Sequence, residues 1–241
     1  MGNNFNFFFS ILILFIIGGC DIFDSEKREA KLCKDNLTEV YRNTSLNNFE
    51  KEKFTTLYEN RLPLYKQMFE SAAMKTSLNS DLLAAISFQE SQWDPRAKSN
   101  MGVRGMMMVT LETAAMVGVE KRLDPEQNIN GGARYLAILI DKNKFGKTTG
   151  DQLSITLASY NIGPTNIINI AKTINKEPTE IRWRDIEKKL GMVTEEDINI
   201  KDVNGYSRGQ QAIDYVYRVK DYYKLLAAHS CTKSKDQLIF F

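Results

Sequence analysis

Asn79-Ser80-Asp81-Leu82-Leu83-Ala84-Ala85-Ile86-Ser87-Phe88-Gln89-Glu90-Ser91-Gln92-Trp93-Asp94-Pro95 is the stretch from which the fold reads most directly. Its first three residues offer helix caps ahead of Leu82, Leu83, Ile86 and Phe88, and Asp94-Pro95 ends the run. Leu82, Ile86 and Glu90 follow one another at i, i+4 and i+8, so a glutamate shares the stripe that its apolar neighbours send to the core. A carboxyl placed there loses hydration, which disfavours its ionised form and raises its pKa. Held protonated near neutral pH, it is equipped to act as a general acid. Its place about one turn before the helix stop puts it at the lip of a cleft. Periodicity alone favours instead a glutamate that bends back to solvent or pairs with a nearby arginine such as Arg96 or Arg104.

Outward from this helix the punctuation stays helical. Thr110 to Val117 reads as a short helix closed by Gly118. Asp124-Pro125-Glu126-Gln127 supplies an N-cap, a proline at the first helical position and a capping-box glutamine ahead of Ala133, Leu136, Ala137 and Ile140. Gln152 to Tyr160 is another apolar helix, broken by Gly163-Pro164, and Ile167 to Ile174 another. Ala212, Tyr215, Val216, Val219, Tyr222, Tyr223 and Leu226 form the stripe of a long final helix. On the N-terminal side, Leu37, Val40 and Tyr41, then Phe54, Leu57, Tyr58 and Leu62, predict one or two amphipathic helices after a polar stem. Five prolines, few alternating β-branched runs and no repeat of 20 to 50 residues leave a mainly α chain.

The 241 residues suffice for one domain or two, burying a core without metal or disulfide staples. Lys and Arg number 32 against 30 Asp and Glu, a net charge of +2, which does not suggest a nucleic-acid binder with a broad basic surface. His229, the single histidine, rules out a multi-histidine zinc site, and no nucleophile motif matches it. Carboxylate chemistry or plain binding remains, and neither calls for a metal or organic cofactor.

Residues 1–19 contain no Asp, Glu, Lys or Arg, and Phe7 to Ile17 is an apolar run of signal-peptide length, too short for a comfortable span. Ile17-Gly18-Gly19-Cys20 resembles a bacterial lipobox, whose cysteine is lipidated. The alternative is an uncleaved N-terminal anchor, and both put the rest of the chain at a membrane surface. With Cys20 committed to lipid, Cys33 and Cys231 remain. In an exported protein they are expected to pair as a disulfide tying the ends of the domain together, the alternative being two free thiols.

Gln89-Glu90-Ser91-Gln92-Trp93-Asp94-Pro95-Arg96-Ala97-Lys98-Ser99, followed by Gly102-Val103-Arg104-Gly105-Met106-Met107-Met108, resembles the signature of the lytic transglycosylase catalytic domain. Asn128-Ile129 through Gly131-Gly132-Ala133-Arg134-Tyr135-Leu136, Ala158-Ser159-Tyr160-Asn161-Ile162-Gly163 and Tyr215-Val216 match further motifs in order. The Gly-Met-Met-Met form, the Arg122 to Pro125 segment and Gly205-Tyr206-x-Arg208-Gly209 are similar to the membrane-bound F branch, without the solute-binding-like domain that precedes its catalytic part. Met108 stands where many members have Gln, and Gln211 where other branches have Glu. These departures bear on substrate contacts more than on the acid.

The resemblance implies a lysozyme-like fold of the goose-type lysozyme and lytic transglycosylase kind. It implies a signal peptide at 1–19, a membrane-proximal linker and helical extension at 20–70, a catalytic domain at 71–229 and a tail at 230–241. It also implies non-hydrolytic cleavage of the β-1,4 bond between N-acetylmuramic acid and N-acetylglucosamine, with Glu90 as acid and then base while the muramic C6 hydroxyl closes a 1,6-anhydro ring. An internal nucleophile removes the second carboxylate that glycosidases ordinarily need, although Asp94, Glu112 or Asp124 could approach. Ser99, Met107, Met108, Tyr160, Asn161 and Tyr215 are the implied substrate contacts. The tyrosines and methionines could equally be core, and Trp93 could plug the core or touch sugar. The implied partners are peptidoglycan strands and, through the lipid, a membrane, with the domain facing the periplasm of a Gram-negative-type envelope. A muramidase, a non-catalytic peptidoglycan-binding lipoprotein and a scaffold of a larger complex are the alternatives.

Overall fold

The computed structural model describes residues 27–28, 30–192 and 208–231. The segment 30–43 is helical and is α1. It is followed by α2 (Asn48–Asn60), α3 (Lys66–Thr76), α4 (Ser80–Ser91), α5 (Leu111–Val117), α6 (Pro125–Lys142), α7 (Thr149–Ile162), α8 (Pro164–Lys172), α9 (Trp183–Leu190) and α10 (Arg208–His229). Among the described residues, β pairing is confined to isolated bridges between Lys98 and Arg104 and between Arg104 and Val109. None of the described helices is long and apolar enough to cross a membrane. The signal segment 1–19, Cys20, residues 205–207 and the tail from 232 lie outside the described residues.

Two helices form the middle of the molecule. Leu82 through Phe88 of α4 and Leu153 through Ser159 of α7 are buried without interruption, so these helices are apolar all round rather than along one stripe. The hydroxyls this burial traps are satisfied locally: Ser154, Thr156 and Ser159 donate to the carbonyls four residues back, of Gly150, Gln152 and Ile155. α10 packs against both central helices, and α3 packs against α6.

Local signals set most helix ends. Asn79 caps α4, Thr110 caps α5, Gly118 closes α5 in the left-handed region, and Asp124 caps α6 with Pro125 at its first position. Two endings depart from expectation. Gln127 forms no reciprocal capping box; its Oε1 accepts from the Glu120 and Lys121 amides at 3.1 Å each and holds the preceding turn. Pro164 does not merely break α7. It opens α8 three residues earlier than periodicity suggests, because a proline at the first helical position lacks only an N–H that would be unpaired anyway.

The N-terminal extension is part of the same core. Leu46, Phe54, Leu62 and Phe69 are buried in one cluster with the residues of α4, α7 and α10, so packing does not respect a boundary at residue 71. Cys33 and Cys231 form a disulfide with their Cα atoms 5.5 Å apart, joining α1 to the end of α10.

Candidate active site

Glu90 lies in the last turn of α4 and keeps partial contact with solvent, as its position before the helix end requires. The turn that follows is built from two successive left-handed residues, Gln92 (φ 55°) and Trp93 (φ 59°). Trp93 then folds back under the helix, fully buried, with Nε1 donating to the Ala84 carbonyl at 2.8 Å. Trp93 is therefore a core plug behind α4. Burial raises the Glu90 carboxyl from 4.5 to about 7, against the opposing effect of a hydrogen bond from Tyr215 Oη to Oε1 at 2.8 Å. The phenols of Tyr215 and Tyr160 are pushed well above their ordinary value by burial first and by the Glu90 charge second. Arg96 ion-pairs with Asp94 at 3.8 Å, so it is not the partner of Glu90.

The segment 97–109 packs against α4 beside this turn. Ser87 and Ser91 of α4 both donate to the Met106 carbonyl, at 3.0 and 2.7 Å. Asn128 of α6, fully buried, accepts from the Met107 amide at 2.7 Å and donates to the carbonyls of Arg104 (2.9 Å) and Arg122 (2.8 Å). Tyr160 Oη donates to the Met107 carbonyl at 2.9 Å. Gly105 (φ +84°) passes so close to this knot that a Cβ there would lie 2.2 Å from the Arg122 carbonyl oxygen. The knot buries Met106 and Met107 completely and leaves Met108 (φ 45°) partly exposed. The expectation for Met107 as a substrate contact is corrected accordingly: its side chain is core, and its backbone joins α6 to α7.

These residues are contiguous with a family match, for residues 67–182 fit the family model of the transglycosylase SLT domain. That stretch is similar to the SLT domain. Membrane-bound lytic murein transglycosylase F of Pseudoalteromonas translucida is 44% identical over 167 residues, covering 68% of this chain and 35% of that protein. Membrane-bound lytic murein transglycosylase F 2 of Alkalilimnicola ehrlichii is 40% identical over 167 residues, covering 68% and 37%. The chain thus spans little more than a third of the length of these relatives. The 70 kDa soluble lytic transglycosylase of Escherichia coli has the same fold over 88% of this chain and 31% of that one, with a TM-score of 0.54 at 20% identity. An inactive mutant of lytic transglycosylase Slt from Pseudomonas aeruginosa gives 0.50 at 19% identity, over 69% and 24%. The mainly α, lysozyme-like fold expected from the motifs is the fold observed.

The remaining expected site residues, of which Tyr215 lies beyond the matched stretch, divide. Tyr215 reaches Glu90 directly, and Tyr160 reaches the segment beside it. Ser99 organises its own loop, its Oγ accepting from the Val103 amide at 3.2 Å. Asn161 is half-buried, with no side-chain hydrogen bond to the described residues. Asp124 is engaged as the α6 cap and Asp94 with Arg96, and Glu112 bears on Tyr135; among the described residues no second carboxylate bears on Glu90. The described residues likewise contain no group of three His, Cys, Asp or Glu arranged for a metal ion. Ser91, Arg122 and Asn128 were quoted in the sequence motifs without a role. Their signal is chemical: polar side chains in apolar surroundings that must find partners, here the carbonyls and amides of residues 102–109 and Arg122 itself.

Proposed function

We propose that this SLT-like domain cleaves the β-1,4 bond between N-acetylmuramic acid and N-acetylglucosamine in peptidoglycan without adding water. The observation that carries this reading is the Glu90 carboxyl in the last turn of α4, partly open to solvent and raised to about 7 by burial, with the Tyr215 hydroxyl donating to it at 2.8 Å. At neutral pH such a group both gives and takes a proton. Protonated Glu90 delivers its proton to the glycosidic oxygen as the C1–O bond breaks and positive charge builds at C1. The resulting carboxylate, stabilised by the Tyr215 hydroxyl, then takes the proton of the muramic C6 hydroxyl as that oxygen bonds to C1 and closes the 1,6-anhydro ring. The proton balance closes on one residue, so no water-activating carboxylate is required.

Met108, Asn161, the ring of Tyr160 and the loop at Ser99 are assigned to substrate contact. The hydroxyl of Tyr160 is not, being engaged by the Met107 carbonyl. Lipidation at Cys20 tethers the domain to a membrane on the periplasmic side, a reading supported by the lipobox-like sequence and by relatives named membrane-bound.

Digestion of purified sacculi, with the released muropeptides weighed by mass spectrometry, tests the reaction. Products ending in 1,6-anhydro-muramic acid are expected from the wild type and are absent with Glu90→Gln. Reducing-end products, one water heavier, would make the protein a muramidase. Glycan binding without release would make it a binding module.

A further inference from the structure

The family match covers residues 67–182, and both the helix that carries Glu90 inside it and the helix that carries Tyr215 beyond it are held by residues before its start. On α10, the Asp221 carboxylate is buried and accepts both the Ser45 amide (2.8 Å) and the Ser45 hydroxyl (2.6 Å). One turn nearer Tyr215, Arg218 pairs with Glu50, whose other oxygen accepts the Asn47 amide at 3.0 Å and completes the capping box of α2. Burial pulls the Glu50 carboxyl up, but the Asn47 amide and Arg218 more than offset this and leave it below its usual range. On α4, the Gln92 carbonyl at the turn after Glu90 accepts from Arg61 Nη1 at 2.9 Å. Between these arms Phe54 of α2 lies fully buried over the seam, its ring 5.0 Å from Phe88 of α4 and 5.5 Å from Tyr222 of α10.

We propose that residues 45–61 are a positioning clamp for the active site: by gripping α10 through Ser45 and Glu50 and α4 through Arg61, they fix the hydrogen bond between Tyr215 and Glu90. None of the three touches Glu90. They act on the relative placement of two helices whose ends meet in a contact of 2.8 Å, where small displacements break a hydrogen bond. The groups facing Glu90 are Tyr215 from α10 and Tyr160 from α7, with Tyr135 of α6 behind Tyr160 at 5.5 Å between rings. Of these, Tyr215 favours the ionised carboxyl by donating to it. Loosening the clamp therefore moves the Glu90 titration upward.

The clamp's catalytic consequence rests on the reading of Glu90 as the acid, so the test has a readout that does not. In the full chain labelled with carboxyl-¹³C glutamate, the Glu90 signal is assigned by its absence from Glu90→Gln and followed against pH. Tyr215→Phe is expected to raise its midpoint by about one pH unit. Ser45→Ala, Glu50→Gln and Arg61→Gln are expected to raise it by a fraction of that and to add nothing on the Tyr215→Phe background. Ser45→Thr, which keeps the hydroxyl, is expected to restore the wild-type midpoint. The alkaline limb of activity on sacculi moves with the titration. Variants that lose thermal stability while Glu90 titrates as in the wild type, or whose shifts add in full to that of Tyr215→Phe, overturn the proposal. If one arm's variant does not fold, the other arm's reads the same midpoint. A wild type that releases no product but shows these shifts would sink the activity and leave the clamp standing.

Discussion

Glu90 carries a cost that depends on pH, and its sign can be worked out. Its folded value of about 7 exceeds the ordinary 4.5, so between those limits the folded chain holds a proton that the unfolded chain has released. Stability conferred by the protonated group is complete below the lower value and is lost as pH rises through the upper one, by about 3 kcal/mol at most. Glu90→Gln is therefore expected to raise the denaturation midpoint at pH 8 and to leave it nearly unchanged at pH 4, as urea titrations at the two values would show. The same ionisation sets the alkaline limb of the pH–activity profile, which is expected near 7 and checked by initial rates on sacculi. At this scale the sequence was legible where a residue contradicted its surroundings. A glutamate at i+8 of an apolar stripe stands out; Asn128 does not, because its role lies in three backbone groups that no periodicity reveals.

Among elements, the segment 97–109 joins backbone hydrogen bonds of its own, such as the Gly105 amide to the Ala97 carbonyl at 2.9 Å, to constraints supplied by other helices. Asn128 supplies two of these constraints, at the Met107 amide and the Arg104 carbonyl, and also holds the Arg122 carbonyl, so Asn128→Ala strands the Met107 amide and the Arg122 carbonyl. A loss of about 2–4 kcal/mol is expected, measured by urea unfolding. Activity is expected to fall further than stability accounts for at temperatures where the variant is folded. The helices were legible in proportion to their amphipathic contrast and capping. α6 begins at the cap read for it, Asp124, and Thr110, read as the first residue of α5, is its cap. α9 was not foreseen, although Trp183, Ile186 and Leu190 repeat at i, i+3 and i+7 and are its buried face. Its eight residues follow a stretch rich in Lys, Glu and Pro that reads as loop. The full burial of α4 and α7 was legible only in part, because a helix apolar on every side has no stripe to point inward.

For the whole molecule, the stretch 20–70 reads from sequence as a membrane-proximal linker and helical extension, and the structure buries its Phe54 and Leu62 in the common core. What decided this was contact with α10 across more than 150 residues of chain, which local patterns do not encode. The Cys33–Cys231 bond spans a sequence separation of 198 residues. Replacing both cysteines by serine is expected to lower stability by about 2–5 kcal/mol, seen as a lower melting temperature that equals that of the reduced wild type. That bond also governs how the molecule bears a pull. On the proposed reading, a domain tethered by its N-terminal stem while gripping a strand of cell wall would be loaded like a link in a chain. With sulfur joined to sulfur at the base, the force enters α10 directly, and the first helix cannot be peeled away under tension.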